Sequence, residues 1–288
     1  MKLLTCIEHH AARLSEAGVA FGHGTAVAFD EAAWLALWRL GLPLDALDEH
    51  EADELSPEQQ AQVAALVDER IATRKPAAYL TKEAWLQGVS FYVDERAIVP
   101  RSFIAELIAD ASIDPWLSDK TTQVLDLCTG NGSLAVLAAM AWPDVSVDAI
   151  DLSPDALAVA RINVDRHGLQ DRIRLLQGDG LKPAAGKRYD LILCNPPYVN
   201  SGSMAALPAE YRAEPELALA GGEDGMDFIR QLLADAPAHL NESGVLVLEI
   251  GNERPFFEAA FPHLAVTWMD TTSGNEQVLL ISKEVLSA

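Results

Sequence analysis

Asn195-Pro196-Pro197-Tyr198 follows an apolar run of the kind that forms a buried strand. Two prolines there hold the backbone stiff and leave the preceding carbonyls without a partner in the chain. The Asn195 side-chain oxygen and the Pro196 carbonyl are then placed to accept the two N–H bonds of a planar –NH₂ group, with Tyr198 against its face. A second group of residues, Asp126-Leu-Cys-Thr-Gly130-Asn-Gly132, ends an earlier apolar run. Its glycines permit a tight turn and close approach of the backbone to a ligand, beside a helix start. Asp151 ends the next run, 21 residues after Gly130, where a carboxylate suits both ribose hydroxyls of an adenosine. Gly178-Asp179 ends the third run and is positioned to meet an adenine amino group; Asp179 alone reads equally well as a turn residue.

The string G-N-G-S-L-A satisfies the G-x-G-x-x-A pattern of dinucleotide sites. A dinucleotide would bring an anionic pyrophosphate to this turn, where Asp126 opposes it. S-adenosylmethionine brings an ammonium and a sulfonium, which a carboxylate favours. The competing reading of Asp126 is a residue that ties down the glycine turn.

The elements that must position these groups alternate from Thr122 onward. Buried strands are expected at 123–127, 145–150, 173–177, 191–195 and 245–250. Helices fit between them at Ser133–Ala141, Pro154–His167 and Met226–Leu240, the second with Ser153 as cap and Gly168 past its end. A short helix near Phe256–Phe261 and two strands, LAVTW and QVLLI, complete the pattern. Such alternation implies an α/β fold with a doubly wound, mostly parallel sheet. The first 75 residues read as helical, at Thr5–Ala17, at Asp30–Leu40 with Trp34, Leu37 and Trp38 on one core-facing stripe, and from Ser56-Pro57-Glu58-Gln59. Glu83–Asp94 alternates around Gly88 as a β-hairpin, and a helix starts near Ser102 after an extended stretch through Pro100. The expected domains are 1–94, a helical unit ending in the hairpin, and 95–288.

Composition narrows the partners. The chain has 288 residues, half of them hydrophobic, and 21 Lys and Arg against 43 Asp and Glu, a net charge of −22. That field repels phosphate backbones and anionic lipid and attracts basic proteins. Seven carboxylates and no Lys or Arg lie between Asp45 and Glu58, most simply a solvated connector. The three cysteines form no CxxC pair, the N-terminal apolar run is too short for a signal-peptide core, and no apolar stretch suits a membrane span. A cytoplasmic protein without a metal, a nucleic-acid partner or a membrane is the expectation.

The ordered set of motifs resembles the class I S-adenosylmethionine-dependent methyltransferases, in the branch whose NPPY modifies planar nitrogens. The segments YLTKEAWLQGVSFYVDERAIVPRS (79–102) and MAALPAEYRAEPELALAGGEDG (204–225) resemble the protein-(glutamine-N5) methyltransferases. Similarity spans roughly residues 75–285, and Val99-Pro-Arg-Ser-Phe-Ile-Ala-Glu106 is similar to the ribosomal rather than the release-factor branch. The chain departs from the family at Cys128, where the first glycine of the turn usually lies, and at Phe103, where proline is common.

The resemblance implies a Rossmann-like sheet in the order 3-2-1-4-5-7-6 with an antiparallel last strand. It implies S-adenosyl-L-methionine as cofactor, S-adenosyl-L-homocysteine as product and no metal. The cofactor set would be Asp126, Cys128, Thr129, Gly130, Asn131, Gly132, Asp151, Leu152, Asp179, Gly180 and Asn195. Catalysis would fall to Asn195, Pro196 and Tyr198, and substrate binding to these with Pro197, Pro100 and Arg101. For Arg101 a structural ion pair is an equal reading. The substrate implied is a glutamine of large-subunit (50S) ribosomal protein L-three, with release factors as the nearest alternative. More distant alternatives are a nucleic-acid exocyclic-amine methyltransferase, a silent ribosome assembly factor and, least favoured, a nicotinamide oxidoreductase.

Overall fold

The computed structural model describes all 288 residues. Its N-terminal part packs α1 (Leu3–Glu16), α2 (Ala28–Leu40) and α4 (Pro57–Thr73) around one core, with short helices α3 (Leu47–His50) and α5 (Ala77–Thr81) between and after them. Trp34 and Leu37 are buried in that core, and Trp38 packs against it. At the start of α4, Ser56 Oγ accepts from the Gln59 N–H, and Gln59 Oε1 accepts from the Ser56 N–H. This reciprocal cap satisfies two donors at the helix start. The acidic connector holds the α3 turn and is tied back to the chain start by a bridge from Lys2 to Glu54. Helices of four to six residues such as α3 and α5 carry too few turns for an apolar period to show in sequence.

A two-stranded hairpin, β1 (Ala84–Leu86) with β2 (Val89–Phe91), leads to α6 (Ile104–Ala109). The N-terminal core takes residues from Leu3 to Val99 and the core on one face of the sheet begins at Leu86, so the hairpin segment serves both.

The sheet then forms from β3 (Gln123–Leu127), β4 (Ser146–Asp151), β5 (Ile173–Gln177), β6 (Tyr189–Cys194) and β7 (Leu240–Glu249), followed by β8 (Thr267–Thr271) and β9 (Gly274–Ser282). Helices α7 (Ser133–Ala141), α8 (Pro154–Arg166), α9 (Ser201–Ala206), α10 (Asp227–His239), α11 (Arg254–Ala260) and α12 (Lys283–Leu286) accompany it. The order is β5-β4-β3-β6-β7-β9-β8, with β9 antiparallel to both neighbours, and this is the order the resemblance implied. Side chains alternate between two cores: Val124 faces one and Leu125 and Leu127 the other.

Two strands differ from expectation. β8 spans Thr267–Thr271, three residues past the LAVTW run. β7 begins at Leu240 rather than near residue 245, running directly from α10. Its pairing with β6 jumps from Tyr189↔Leu240 to Leu191↔Val245, so the polar Asn241–Gly244 stretch is an irregularity inside the strand rather than a loop before it.

Candidate active site

The chain winds outward in both directions from β3, with β4 on one side and β6 on the other, both parallel to it. A crevice therefore opens at the carboxyl ends of β3, β4 and β6, as it does wherever a parallel sheet reverses its winding. Leu127 pairs with Ile150 and with Cys194, so the residues that follow, 128–132, 151–153 and 195–198, leave the sheet at one edge.

The β3 turn is left-handed at three points: Cys128 (φ 62°), Gly130 (φ 56°) and Gly132 (φ 80°). A Cβ on Gly132 would stand 3.1 Å from the Cβ of Ala160, so glycine lets α8 close on the turn. Cys128 holds the same backbone conformation with a side chain, which is the physical content of its departure from glycine. Beneath the turn, the buried Asp126 carboxylate accepts from the Thr129 hydroxyl and from the Ala135 N–H at 3.0 Å. Burial pushes its carboxyl up to about 7, and its Oδ1 has no partner.

Asp151 carries the turn's other restraint. Its carboxylate accepts from the Gly130 N–H and the Ser153 N–H, each at 2.8 Å. Burial raises its pKa while those backbone donors pull it back. Asn163, fully buried on α8, donates to the Asn131 carbonyl at 2.8 Å and pairs with both the N–H and the carbonyl of Tyr92. It thus joins the turn to the hairpin segment. Nothing in the sequence flags it, since one asparagine within a helical pattern reads as an exposed position.

Two cavities lie side by side at the strand ends. The first is walled by Cys128, Gly130, Asp151, Leu152, Asp179, Gly180, Asn195 and Pro197. Of the expected cofactor residues, Asp126, Thr129, Asn131 and Gly132 do not line it; they build the turn beneath. Asp179 is exposed and ion-paired to Lys182. Pro215, Leu217 and Phe228 also line it, and sequence reading assigned them no role although 215 and 217 lie in the 204–225 segment it singled out. The acid, the glycine turn and this apolar wall fit an adenosine with a charged sulfonium tail.

The second cavity, about 880 Å³, is lined by Asn195, Pro196, Tyr198 and Arg101, together with Gly22, Gly24 and Thr25 from the N-terminal part. Pro100 lines neither cavity. Asn195, Ile98 and Ala218 belong to both walls, so Asn195 stands between the two spaces.

Arg101 is engaged as well as lining. It donates to both carboxylate oxygens of buried Glu214, at 2.6 and 2.7 Å, and lies over the Tyr211 ring. Burial alone would push Glu214 upward, but Arg101 and His23 hold it at about 2. Close by, the fully buried Arg70 of α4 donates to Glu31 at 2.8 Å and meets Glu210 at 3.5 Å. The segment after Tyr198 is therefore pinned to the N-terminal helices by buried charge.

Tyr198 is enclosed by glycines. A Cβ would fall 2.7 Å from its Cα if placed on Gly221, 2.2 Å from its carbonyl oxygen on Gly225, and 2.5 Å from its Cε2 on Gly251. The ring's hydroxyl lies 3.5 Å from Glu249. No group of three or more His, Cys, Asp and Glu side chains is arranged to hold a metal ion.

Comparison with known proteins places these features. Residues 112–209 match the family model described as the methyltransferase small domain. The chain is 53% identical to a ribosomal protein uL3 glutamine methyltransferase of Bordetella pertussis, over 98% of this chain and 95% of that one. It is 52% identical to the protein of that name in Burkholderia pseudomallei, over 98% and 94%. Against the Neisseria meningitidis serogroup B protein the identity is 48%, over 95% and 90%. Among solved structures, the hMettl16 catalytic domain in complex with MAT2A 3′UTR hairpin 1 aligns with a TM-score of 0.54 at 14% identity, over 82% of this chain and 83% of that one, a likeness of fold.

Proposed function

Because the chain belongs to the ribosomal protein uL3 glutamine methyltransferases, we propose that it methylates the side-chain amide nitrogen (N5) of a glutamine in uL3, the protein L-three, at the junction marked by Asn195. S-adenosyl-L-methionine supplies an electrophilic methyl group on a sulfonium. The chain's own residues do the rest. Asp151, the glycine turn and Asp179 bind the cofactor in the first cavity, with Leu152 and Gly180 beside them. Asn195 Oδ1 and the Pro196 carbonyl accept the two amide N–H bonds in the second cavity, while Pro197 stiffens the turn and Tyr198 supports the amide plane.

An amide nitrogen is a poor nucleophile because its lone pair is delocalised into the carbonyl. Holding both hydrogens fixes the direction of that lone pair toward the first cavity. Orientation of this kind supplies up to about 7–11 kcal/mol of a barrier. The single observation that carries the reading is that Asn195 belongs to the walls of both cavities.

We take residues 1–94 as the part that recognises the substrate. Support comes from Gly22, Gly24 and Thr25 at the acceptor cavity and from Arg70 and Arg74 gripping Glu210. The net charge of −22 suits a basic ribosomal protein and opposes direct contact with nucleic acid. No helix is long and apolar enough to cross a membrane, and ribosomal substrates argue for a cytoplasmic location.

The test is methyl-labelled S-adenosylmethionine with extract from cells lacking the gene. Label in uL3 released as N5-methylglutamine is expected. Label in a release factor, or label that survives protease and is lost to nuclease, overturns the substrate.

A further inference from the structure

Methyl transfer leaves a proton to be removed, and one buried carboxylate stands in the acceptor cavity with no part yet in the chemistry. Glu249 ends β7, is 2% exposed, and shares the cavity wall with Asn195, Pro196 and Tyr198. Its Oε2 is saturated: it accepts from the Ser102 hydroxyl at 2.5 Å, the Phe103 N–H at 2.9 Å and the Ile104 N–H at 3.4 Å. Its Oε1 has only the Tyr198 hydroxyl, at 3.5 Å. A carboxylate held by three donors through one oxygen, with a single long contact on the other, on the wall of the acceptor cavity, is placed to act as a base. Catalytic hydrogen bonds are often long before substrate binds and tighten in the complex.

Resting on the glutamine-methyltransferase reading, we propose that Glu249 is the base that takes the proton lost by the glutamine amide nitrogen. As the N–CH₃ bond forms and the S–CH₃ bond breaks, positive charge passes from sulfur to the amide nitrogen. One N–H bond, its hydrogen released from the Asn195 or Pro196 oxygen, then breaks; its electron pair returns to nitrogen, and the proton goes to Oε1 of Glu249. The negative carboxylate also favours the charge arriving in its cavity. After product release the proton passes to water. The groups around Glu249 are Arg101 and Ser102 before α6, Cys194 at the end of β6, Tyr198 after it, and Glu253 beyond β7 in the same cavity. Burial pushes the Glu249 carboxyl up to about 7, against Ser102, the two N–H groups and Arg101. A base is competent only when ionised, so turnover rises with pH through that region.

The experiment measures kcat and KM on purified uL3 across neutral pH for three forms of the full-length protein, with cofactor affinity by titration. Wild-type kcat is expected to climb through an inflection near 7. Glu249→Gln keeps the size and most of the hydrogen bonds; kcat should fall about 100-fold or more, with KM and cofactor affinity retained and the inflection gone. Ser102→Ala removes one donor to the carboxylate and should move the inflection to higher pH. A folded Glu249→Gln variant that keeps wild-type kcat and inflection overturns the inference. If that variant does not fold, an inflection unmoved in Ser102→Ala overturns it instead. A wild-type protein that labels no glutamine of uL3 overturns the substrate reading and this inference together, whereas an active wild type with a flat profile overturns this inference alone.

Discussion

The backbone of Gly251 lies against the ring of Tyr198 so closely that a Cβ there would fall 2.5 Å from Cε2 and 2.9 Å from Cζ. Gly251 also has a φ of 53°, so two separate physical demands select glycine at this position. Gly251→Ala should therefore tilt the tyrosine ring and strain the backbone. A stability loss of about 1–3 kcal/mol is expected from the strain. Methyl transfer should fall by an order of magnitude or more while cofactor affinity is kept. Thermal unfolding and a cofactor titration alongside the activity assay check this; unchanged turnover would show that the ring's place is immaterial.

Asn195 separates binding from chemistry. Asn195→Ala removes the side-chain oxygen assigned to an amide N–H but leaves Asp151 and the glycine turn untouched. Turnover should be nearly abolished, at least about 100-fold down, with cofactor binding retained. Isothermal titration reads the second quantity directly. A folded variant unable to bind cofactor would show that Asn195 serves the first cavity instead.

Cys128 occupies a left-handed position without being glycine. An L side chain in that conformation costs roughly 1–2 kcal/mol, part of which glycine returns through its larger unfolded-state entropy. Cys128→Gly is thus expected to raise stability by about 1 kcal/mol. The denaturant midpoint measures it, and a lowered midpoint would mean that the thiol's packing outweighs the backbone strain.

Asp126 and Glu249 predict how stability depends on pH. Both carboxyls are pushed up to about 7 by burial, above their unfolded values. The folded state then holds protons that the unfolded chain releases, so stability is greatest below the unfolded pKa values and declines as pH rises to about 7. Glu214, held at about 2, acts oppositely: its contribution is present above its unfolded value and is lost as pH falls toward about 2. Asp126→Asn should flatten the decline between acid and neutral pH. Denaturant midpoints measured across that range in both proteins provide the check, and parallel curves would count against a raised Asp126.

Most of the sheet was legible because its central strands are short apolar runs bounded by glycine, proline or acid, and the long helices carry an apolar period, with a side-chain cap at α4 and α8. Ser56 with Gln59, and Ser153 before Pro154, are local signals that the structure reproduces atom by atom. The short helices α5, α9 and α12 were not legible, nor was the early start of β7, where polar Asn241–Gly244 reads as a turn. Pairing with β6 keeps that stretch in the strand, and no local pattern reports it.

The sequence alone determined the chemical inventory: an acid after each of two strands, a glycine turn, and an amide with stiff carbonyls after a third. Those residue types restrict the chemistry before any fold is known, because donor and acceptor capacity belongs to the side chain. Only the tertiary structure decided which groups share a wall. It put Asp126 beneath the turn rather than in the cavity, gave Arg101 to Glu214, closed three glycines around Tyr198, and brought Glu249 beside it. Apart from the place of Asp126, which depends on burial, these relations join residues about 20 to 110 positions apart. Register and packing create them, and both are properties of the whole folded chain.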